Sequence, residues 1–299
     1  MKQLAIIGPT ASGKSKLALD LALTHNAVIL SIDSLSIYTD INIASAKPTK
    51  EELALVKHFG IDILRPDETA SVFTFIDEYH RAHTYAKENH KNIIIVGGSS
   101  FYLKSMIDGL SHIPIIEDAV REEASVILSD TLNAHRFLAD IDPLMMSTIT
   151  SGDRYRIEKM LHLYLQTKTS PSQWFKMHPP LSVISHCPVL NIDIDRAYLR
   201  ERIALRTQLM IRDGLIDEVA QCEQLYGRTP NSMKAIGMIE TLEYLDGKCS
   251  KQELIELIST HTAQLAKRQQ TFNTHQFTLS ASQNAEELYP IAERLLEQS

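Results

Sequence analysis

Apolar positions along the chain change their period several times, and each change marks an element. Residues 3–7 (Gln-Leu-Ala-Ile-Ile) are a short apolar run stopped by Gly8, the pattern of a buried strand feeding a loop. Beyond the loop, Leu17, Ala18, Leu21 and Ala22 fall at helical spacing. A second apolar run, Val28 to Ile32, ends at Asp33. A third, Ile93 to Val96, is closed by Gly97-Gly98, and Val189–Ile194 reads as a further strand. Residues 51–58 and 74–90 read as helices between them. Strands alternating with helices predict an α/β protein with a mostly parallel sheet covered by helices on both faces. Ligands of such sheets lie at the carboxyl ends of the strands. Gly8, Asp33 and Gly97-Gly98 all sit there, so three strands point at one site.

Residues 111–182 break this rhythm. Helical patterns run over 118–139 and 153–167, with Asp153 as a cap and Pro171 as a stop. The expectation is an all-helical insertion at 111–182, carried by a core built from 1–110 and 183–299. The last third reads as helices at 196–213, 215–226, 251–271 and 284–297.

Composition adds limits. The 299 residues are 44% hydrophobic and 22% charged, an ordinary globular balance. No apolar run approaches the roughly 20 residues that span a bilayer, and the N-terminus has no signal-peptide pattern. A cytoplasmic protein without membrane contact is expected. Cys187, Cys222 and Cys249 lie far apart, which argues for free thiols over a disulfide framework or zinc site. The net charge of −7 opposes a uniformly basic nucleic-acid binder, yet Arg196, Arg200, Arg202, Arg206 and Arg212 crowd one stretch and Lys267-Arg268 another.

The chemistry begins at Gly8-Pro9-Thr10-Ala11-Ser12-Gly13-Lys14-Ser15, a complete G-x-x-x-x-G-K-[ST] loop between a strand and a helix. Its backbone N–H groups and the following helix N-terminus face an anion. Lys14 adds a mobile positive charge, and the Ser15 hydroxyl can reach a magnesium ion. Asp33, one strand away, suits a metal ligand, a helix cap or a general base. The third strand ends in Gly97-Gly98-Ser99 where a hydrolytic P-loop enzyme would carry a carboxylate. Two glycines there would let a large substrate approach the backbone, which favours transfer over hydrolysis. Arg202 and Arg206 share a helix face, and one arginine reaching a phosphate would stabilise a leaving group. The segment Gln264 to Phe272 mixes amide, cationic and aromatic side chains, a set suited to RNA.

In this order the pieces resemble the bacterial tRNA dimethylallyltransferase family. The motifs are GPTASGKS at 8–15, Asp33-Ser34, Tyr38, Ala46-Lys47-Pro48, Val96 to Ser99, Gly109-Leu110, Asp118 with Arg121 and Asp142-Pro143. Asp153 with Arg156-Ile157, Leu205-Arg206, Lys234 to Gly237 with Glu240, and Gln264 to Gln269 follow. Departures are Ser99 where the family often has Thr, Met238-Ile239 after Gly237, Phe272 in place of Trp, and Asn273-Thr274 without the usual basic residue. The resemblance implies dimethylallyl diphosphate in the loop, magnesium on Ser15, and prenylation of the adenosine 3′-adjacent to the anticodon in tRNAs reading codons that start with U. It implies a monomer whose helical insertion grips the anticodon stem-loop. Asp33 would be the base, with Ser99, Lys14 and Arg202 also catalytic. Ser34, Leu35, Ser36, Arg121, Arg156, Lys159, Lys234, Lys267, Arg268 and Gln269 would join Asp33 and Ser99 on the RNA. A small-molecule kinase, a free-adenylate prenyltransferase and an RNA-binding module with a vestigial loop are the alternatives.

Overall fold

A computed structural model describes residues 1–297 and divides into two compact units, Met1–Ile107 with Ile184–Ser299, and Asp108–Val183. The first unit opens with β1 (Gln3–Ile7), α1 (Lys14–Thr24), β2 (Ala27–Ser31), α2 (Lys50–Leu55), β3 (His58–Phe59), α3 (Val72–Glu88), β4 (Asn92–Val96) and α4 (Ser100–Asp108). The second unit holds α5 (Asp118–Ile127), α6 (Thr131–Ile141), α7 (Pro143–Met146), α8 (Arg154–Thr167) and α9 (Pro171–Met177). The first unit resumes with β5 (Val189–Ile192), α10 (Arg196–Arg212), α11 (Leu215–Tyr226), a 3-10 turn Asn231–Lys234, α12 (Met238–Leu245), α13 (Lys251–Gln276), β6 (Ala281–Gln283) and α14 (Ala285–Glu297).

The six strands form one sheet in the order β3-β2-β4-β1-β5-β6, and every pair is parallel. Parallel strands buried on both faces need apolar residues at both parities, and Leu4 to Ile7 and Ile93 to Ile95 are all fully buried. On one face Leu4, Ile6, Ile94 and Leu190 pack with Leu17 and Leu21 of α1 and Leu288 and Ala292 of α14. In this order β1, β2 and β4 end side by side, so their C-terminal loops share one edge.

Several boundaries differ from the sequence pattern. The helix expected over 51–58 stops at Leu55, and His58–Phe59 pairs with β2 instead. Val56, 6% exposed, must turn into the core, which ends the helix. The helix expected over 118–139 is two, because Asp130 accepts the Asn133 N–H and starts α6 afresh. Pro171 does not end the helical region: it is the first residue of α9, where a missing N–H costs nothing. The short α4, α7 and α12 and edge strand β6 carry too little periodicity to show in the pattern.

The helical unit has its own apolar centre, including Ala124, Leu128, Leu138, Ile157 and Leu161. Asp142 ties it together. Its carboxylate, 4% exposed, accepts the Met145 N–H, the Ser172 N–H (2.6 Å) and the Ser172 hydroxyl (2.7 Å). Burial opposes the charge, but these three donors outweigh it and hold the carboxyl below its ordinary pKa. A depressed folded-state pKa stabilises at neutral pH, and that stabilisation is lost as pH falls through the folded value. Asp142→Ala should therefore cost about 2 kcal/mol at neutral pH, with the gap from wild type closing in the acid range. Urea melts across pH measure this, and a gap independent of pH would refute it.

Candidate active site

The loop after β1 is held in an unusual backbone. Gly8 has φ 153°, and a Cβ there would lie 3.1 Å from the Ile192 Cβ and 3.2 Å from its carbonyl oxygen. Ala11 (φ 62°) and Gly13 (φ 98°) are left-handed, and they turn the chain into α1, which starts at Lys14. The unpaired N–H groups of that first turn open on the cavity side. Lys14 is 8% exposed and donates to the Pro9 carbonyl at 2.6 Å. Burial lowers its pKa to about 7. The nearby Asp33 charge opposes this shift and the Arg206 charge adds to it. Ser12 is buried in the loop, and Ser15 is exposed at its end.

Two later helices grip this loop. From α10, Arg202 Nε donates to the Ala11 carbonyl (2.7 Å) and Arg206 donates to the Thr10 hydroxyl (3.1 Å). The shared face read from their spacing is the face turned to the loop. From α13, Gln269 accepts the Thr10 N–H (2.8 Å) and donates to the Gly98 carbonyl (2.9 Å). Leu199, Ile203 and Ala266 pack α10 on α13 beneath these contacts. Arg202 is exposed, whereas Arg206 is desolvated enough to pull its pKa down, with Asp33 pulling it back up. Arg206 is therefore the arginine electrically tied to Asp33 and Lys14. Arg202, expected to stabilise a leaving group, lies one turn away and reaches the loop at Ala11 from a more exposed position.

Asp33 follows β2. Its Oδ1 accepts the N–H groups of Leu35 (2.9 Å) and Ser36 (3.2 Å), capping a turn; no helix begins there, so the helix-cap reading is not met. Ser99 accepts the Ser34 N–H at 3.1 Å, joining the ends of β2 and β4. Ser34 is exposed, Leu35 half-buried and Ser36 buried. Lys14, Ser15, Asp33, Gly98, Arg202 and Arg206 border one open cavity of about 980 Å³. The two glycines after β4 border the cavity and are also packed closely by protein. A Cβ on Gly97 would lie 2.7 Å from Ile32 and 3.0 Å from the Asp33 nitrogen, and one on Gly98 would lie 2.5 Å from Gln269 Nε2. They make room for the protein's own β2 end and for Gln269.

The other residues expected on RNA are scattered. Lys234 is exposed beside the Gly237 turn, whose N–H is held by buried Glu240 (2.7 Å). Lys267 and Arg268 are exposed on α13. In the helical unit, Arg121 lies 3.8 Å from Asp118, Arg156 pairs with Asp153 at 2.6 Å, and Lys159 sits over the Tyr155 ring, all at the surface. Both ends of the Gln269 amide are engaged, by the loop and by Gly98.

The donor set suits magnesium bound largely through a ligand. Ser15 offers one exposed hydroxyl at the α1 N-terminus, and magnesium keeps waters and takes phosphate oxygens. Among the described residues, the one three-residue His/Cys/Asp/Glu cluster, His25 with Glu293 and Glu297, lies at the other end of α1.

Fold and site together define a P-loop-type α/β protein with a cationic anion cradle facing a carboxylate. A family model described as IPP transferase matches residues 36–276, and the chain belongs to that family. The tRNA dimethylallyltransferase of Sulfurimonas denitrificans is 52% identical over 291 residues, 97% of this chain and 98% of that protein. That of Sulfurovum sp. is 51% identical over 278 residues, 93% and 92% of the two chains. The crystal structure of the full-length tRNA isopentenylpyrophosphate transferase from Bacillus halodurans matches with a TM-score of 0.72 at 28% identity, covering 99% of this chain and 97% of that one. No helix among the described residues is long and apolar enough to cross a membrane.

A lysine with a pKa near 7 should regain its proton when an anion arrives. At about pH 8, binding of an unreactive alkyl diphosphate should take up roughly one proton. Calorimetry in two buffers of different ionisation enthalpy reads this directly. Binding with no proton uptake would contradict a neutral Lys14 in the free protein.

Proposed function

We propose that this protein transfers the dimethylallyl group of dimethylallyl diphosphate to the exocyclic N6 of the adenosine 3′-adjacent to the anticodon, in tRNAs reading codons that start with U. The observation that carries this reading is the Asp33 carboxylate opposite Lys14 and Arg206 across one cavity, in a chain with the family membership given above. A leaving diphosphate and an arriving amine need those two sides.

In the reaction the allylic C–O bond breaks and the N6–carbon bond forms. The electron pair of the broken bond leaves on the diphosphate, and the N6 proton must be accepted. The loop N–H groups and Lys14 meet the growing negative charge, with Arg206 and Arg202 at the loop's edge. These charges act more strongly on the transition state than on the ground state, because the leaving oxygen is then more negative. Magnesium held at Ser15 would add further charge neutralisation. Asp33 keeps Oδ1 on its own turn, which fixes the carboxylate plane and leaves Oδ2 as the proton acceptor. Ser99 accepts the Ser34 N–H, so its own hydroxyl proton can be donated near the reacting nitrogen. The adenine must leave its stack to reach the cavity, at a cost of about a few kcal/mol, least in a loop.

The helical unit, with Arg121, Arg156 and Lys159 at its surface, is assigned to the anticodon stem-loop, and exposed Lys234, Lys267 and Arg268 to RNA phosphates. The chain would act as a monomer in the cytoplasm. A small-molecule kinase has no use for the helical unit or the exposed cations of α13, and a free-adenylate prenyltransferase lacks a substrate large enough to need them.

Incubation with labelled dimethylallyl diphosphate and unmodified tRNA, with ATP and free AMP as controls, tests the reading. Label should enter tRNA alone; label on AMP, or phosphate transfer from ATP, would overturn it. Asp33→Ala should lose transfer by about 10²-fold or more while still binding diphosphate, and full transfer by that variant would remove Asp33 as the base.

A further inference from the structure

The phosphate loop is held by remote residues as well as by its own Lys14–Pro9 bond. Among these anchors, Gln269 bridges two strand-end loops. Its Oε1 takes the Thr10 N–H at 2.8 Å, and its Nε2 gives to the Gly98 carbonyl at 2.9 Å. The β4 loop has been fitted to it, because any side chain at 98 would strike Nε2. The Thr10 peptide is thereby turned toward α13 and away from an anion. The N–H groups left to face the cavity are those nearer the start of α1.

One turn further along α13, Asn273 is fully buried behind the loop. In the amide orientation that puts its nitrogen on Ser100 Oγ (2.7 Å) and the Gln269 carbonyl (3.2 Å), its oxygen accepts the Gly8 N–H at 3.2 Å; the opposite orientation instead donates to Asn191 Oδ1 at 3.1 Å. The same helix thus fixes the first glycine of the loop, its third residue and the adjoining loop of β4. Lys267 and Arg268 on this helix stay exposed and take no part in the grip.

We propose that Gln269 is a positioning residue for the diphosphate and not an RNA contact: it sets the orientation of the Thr10 peptide and the spacing between the phosphate loop and the Gly98 carbonyl. Asn273 supports it by fixing Gly8. The proposal deepens the prenyl-transfer reading and rests on it for the identity of the ligand, but its test does not require transfer.

Gln269→Met keeps the length of the side chain and removes both hydrogen bonds. Inorganic diphosphate with magnesium, titrated by calorimetry without RNA, should bind about tenfold more weakly than to wild type, the worth of one or two loop hydrogen bonds. Binding of unmodified tRNA, followed by fluorescence anisotropy, should be unchanged. Gln269→Glu keeps an acceptor for the Thr10 N–H but places a carboxylate oxygen against the Gly98 carbonyl. It should not restore wild-type diphosphate affinity, whereas a merely space-filling role would be met by either variant. Weaker tRNA binding with diphosphate affinity intact would overturn the proposal and return Gln269 to the RNA surface. Unchanged affinity for both ligands would overturn it as well. If wild type binds diphosphate but moves no label to tRNA, the transfer reading fails while the positioning result still stands on its own.

Discussion

A loop that offers several N–H groups to one anion cannot satisfy those groups internally, and this constraint organises the rest of the molecule. Gly8 and Gly13 hold positive φ, which glycine adopts freely, but Ala11 holds φ 62°, a backbone that persists only where its surroundings impose it. The surroundings are remote in sequence. Ile192 of β5 closes on Gly8, Arg202 and Arg206 hold Ala11 and Thr10 from α10, and Gln269 holds Thr10 from α13. The sheet order brings β1 between β4 and β5, which is what lets one strand's loop meet both neighbours.

The electrostatics follow from the same packing. Burial of the lysine, with the Arg206 charge adding to it, lowers the Lys14 pKa to about 7. Asp33 partly relieves this for both Lys14 and Arg206. A diphosphate would complete the relief, which couples anion binding to the charge state of the site. The carboxylate therefore has two uses, balancing cations and standing ready for a proton, and its Oδ1 contacts with Leu35 and Ser36 keep its orientation fixed through both.

Strands β1, β2, β4 and β5, the phosphate loop, Asp33 and the helical insert were legible because each rests on local rules: period, glycine placement and a fixed spacing. The errors share a cause too. Pro171 and Asp130 begin helices inside a stretch whose apolar period runs on, and caps are weaker signals than periodicity. Gly97 and Gly98 border the cavity as their sequence suggests, but Ile32 and Gln269 crowd their other side, which no local pattern shows. Gln269 sits in a basic, RNA-like segment, yet the rotation of about 100° per helical residue turns its side chain to the loop while its neighbours Lys267 and Arg268 stay exposed.

The sequence by itself determined that a strand, a glycine-rich turn and a helix would form an anion cradle, and that a carboxylate would end a neighbouring strand. Those features need only residues close along the chain. The tertiary structure decided which arginine is desolvated beside Asp33 and which face of α13 turns to the loop. It also decided that the paired glycines pack against Ile32 and Gln269 as well as bordering the cavity. Burial and contact depend on what packs from some 190 or 260 residues away, as in the bonds from Arg206 and Gln269 to Thr10, and local pattern carries no record of that distance.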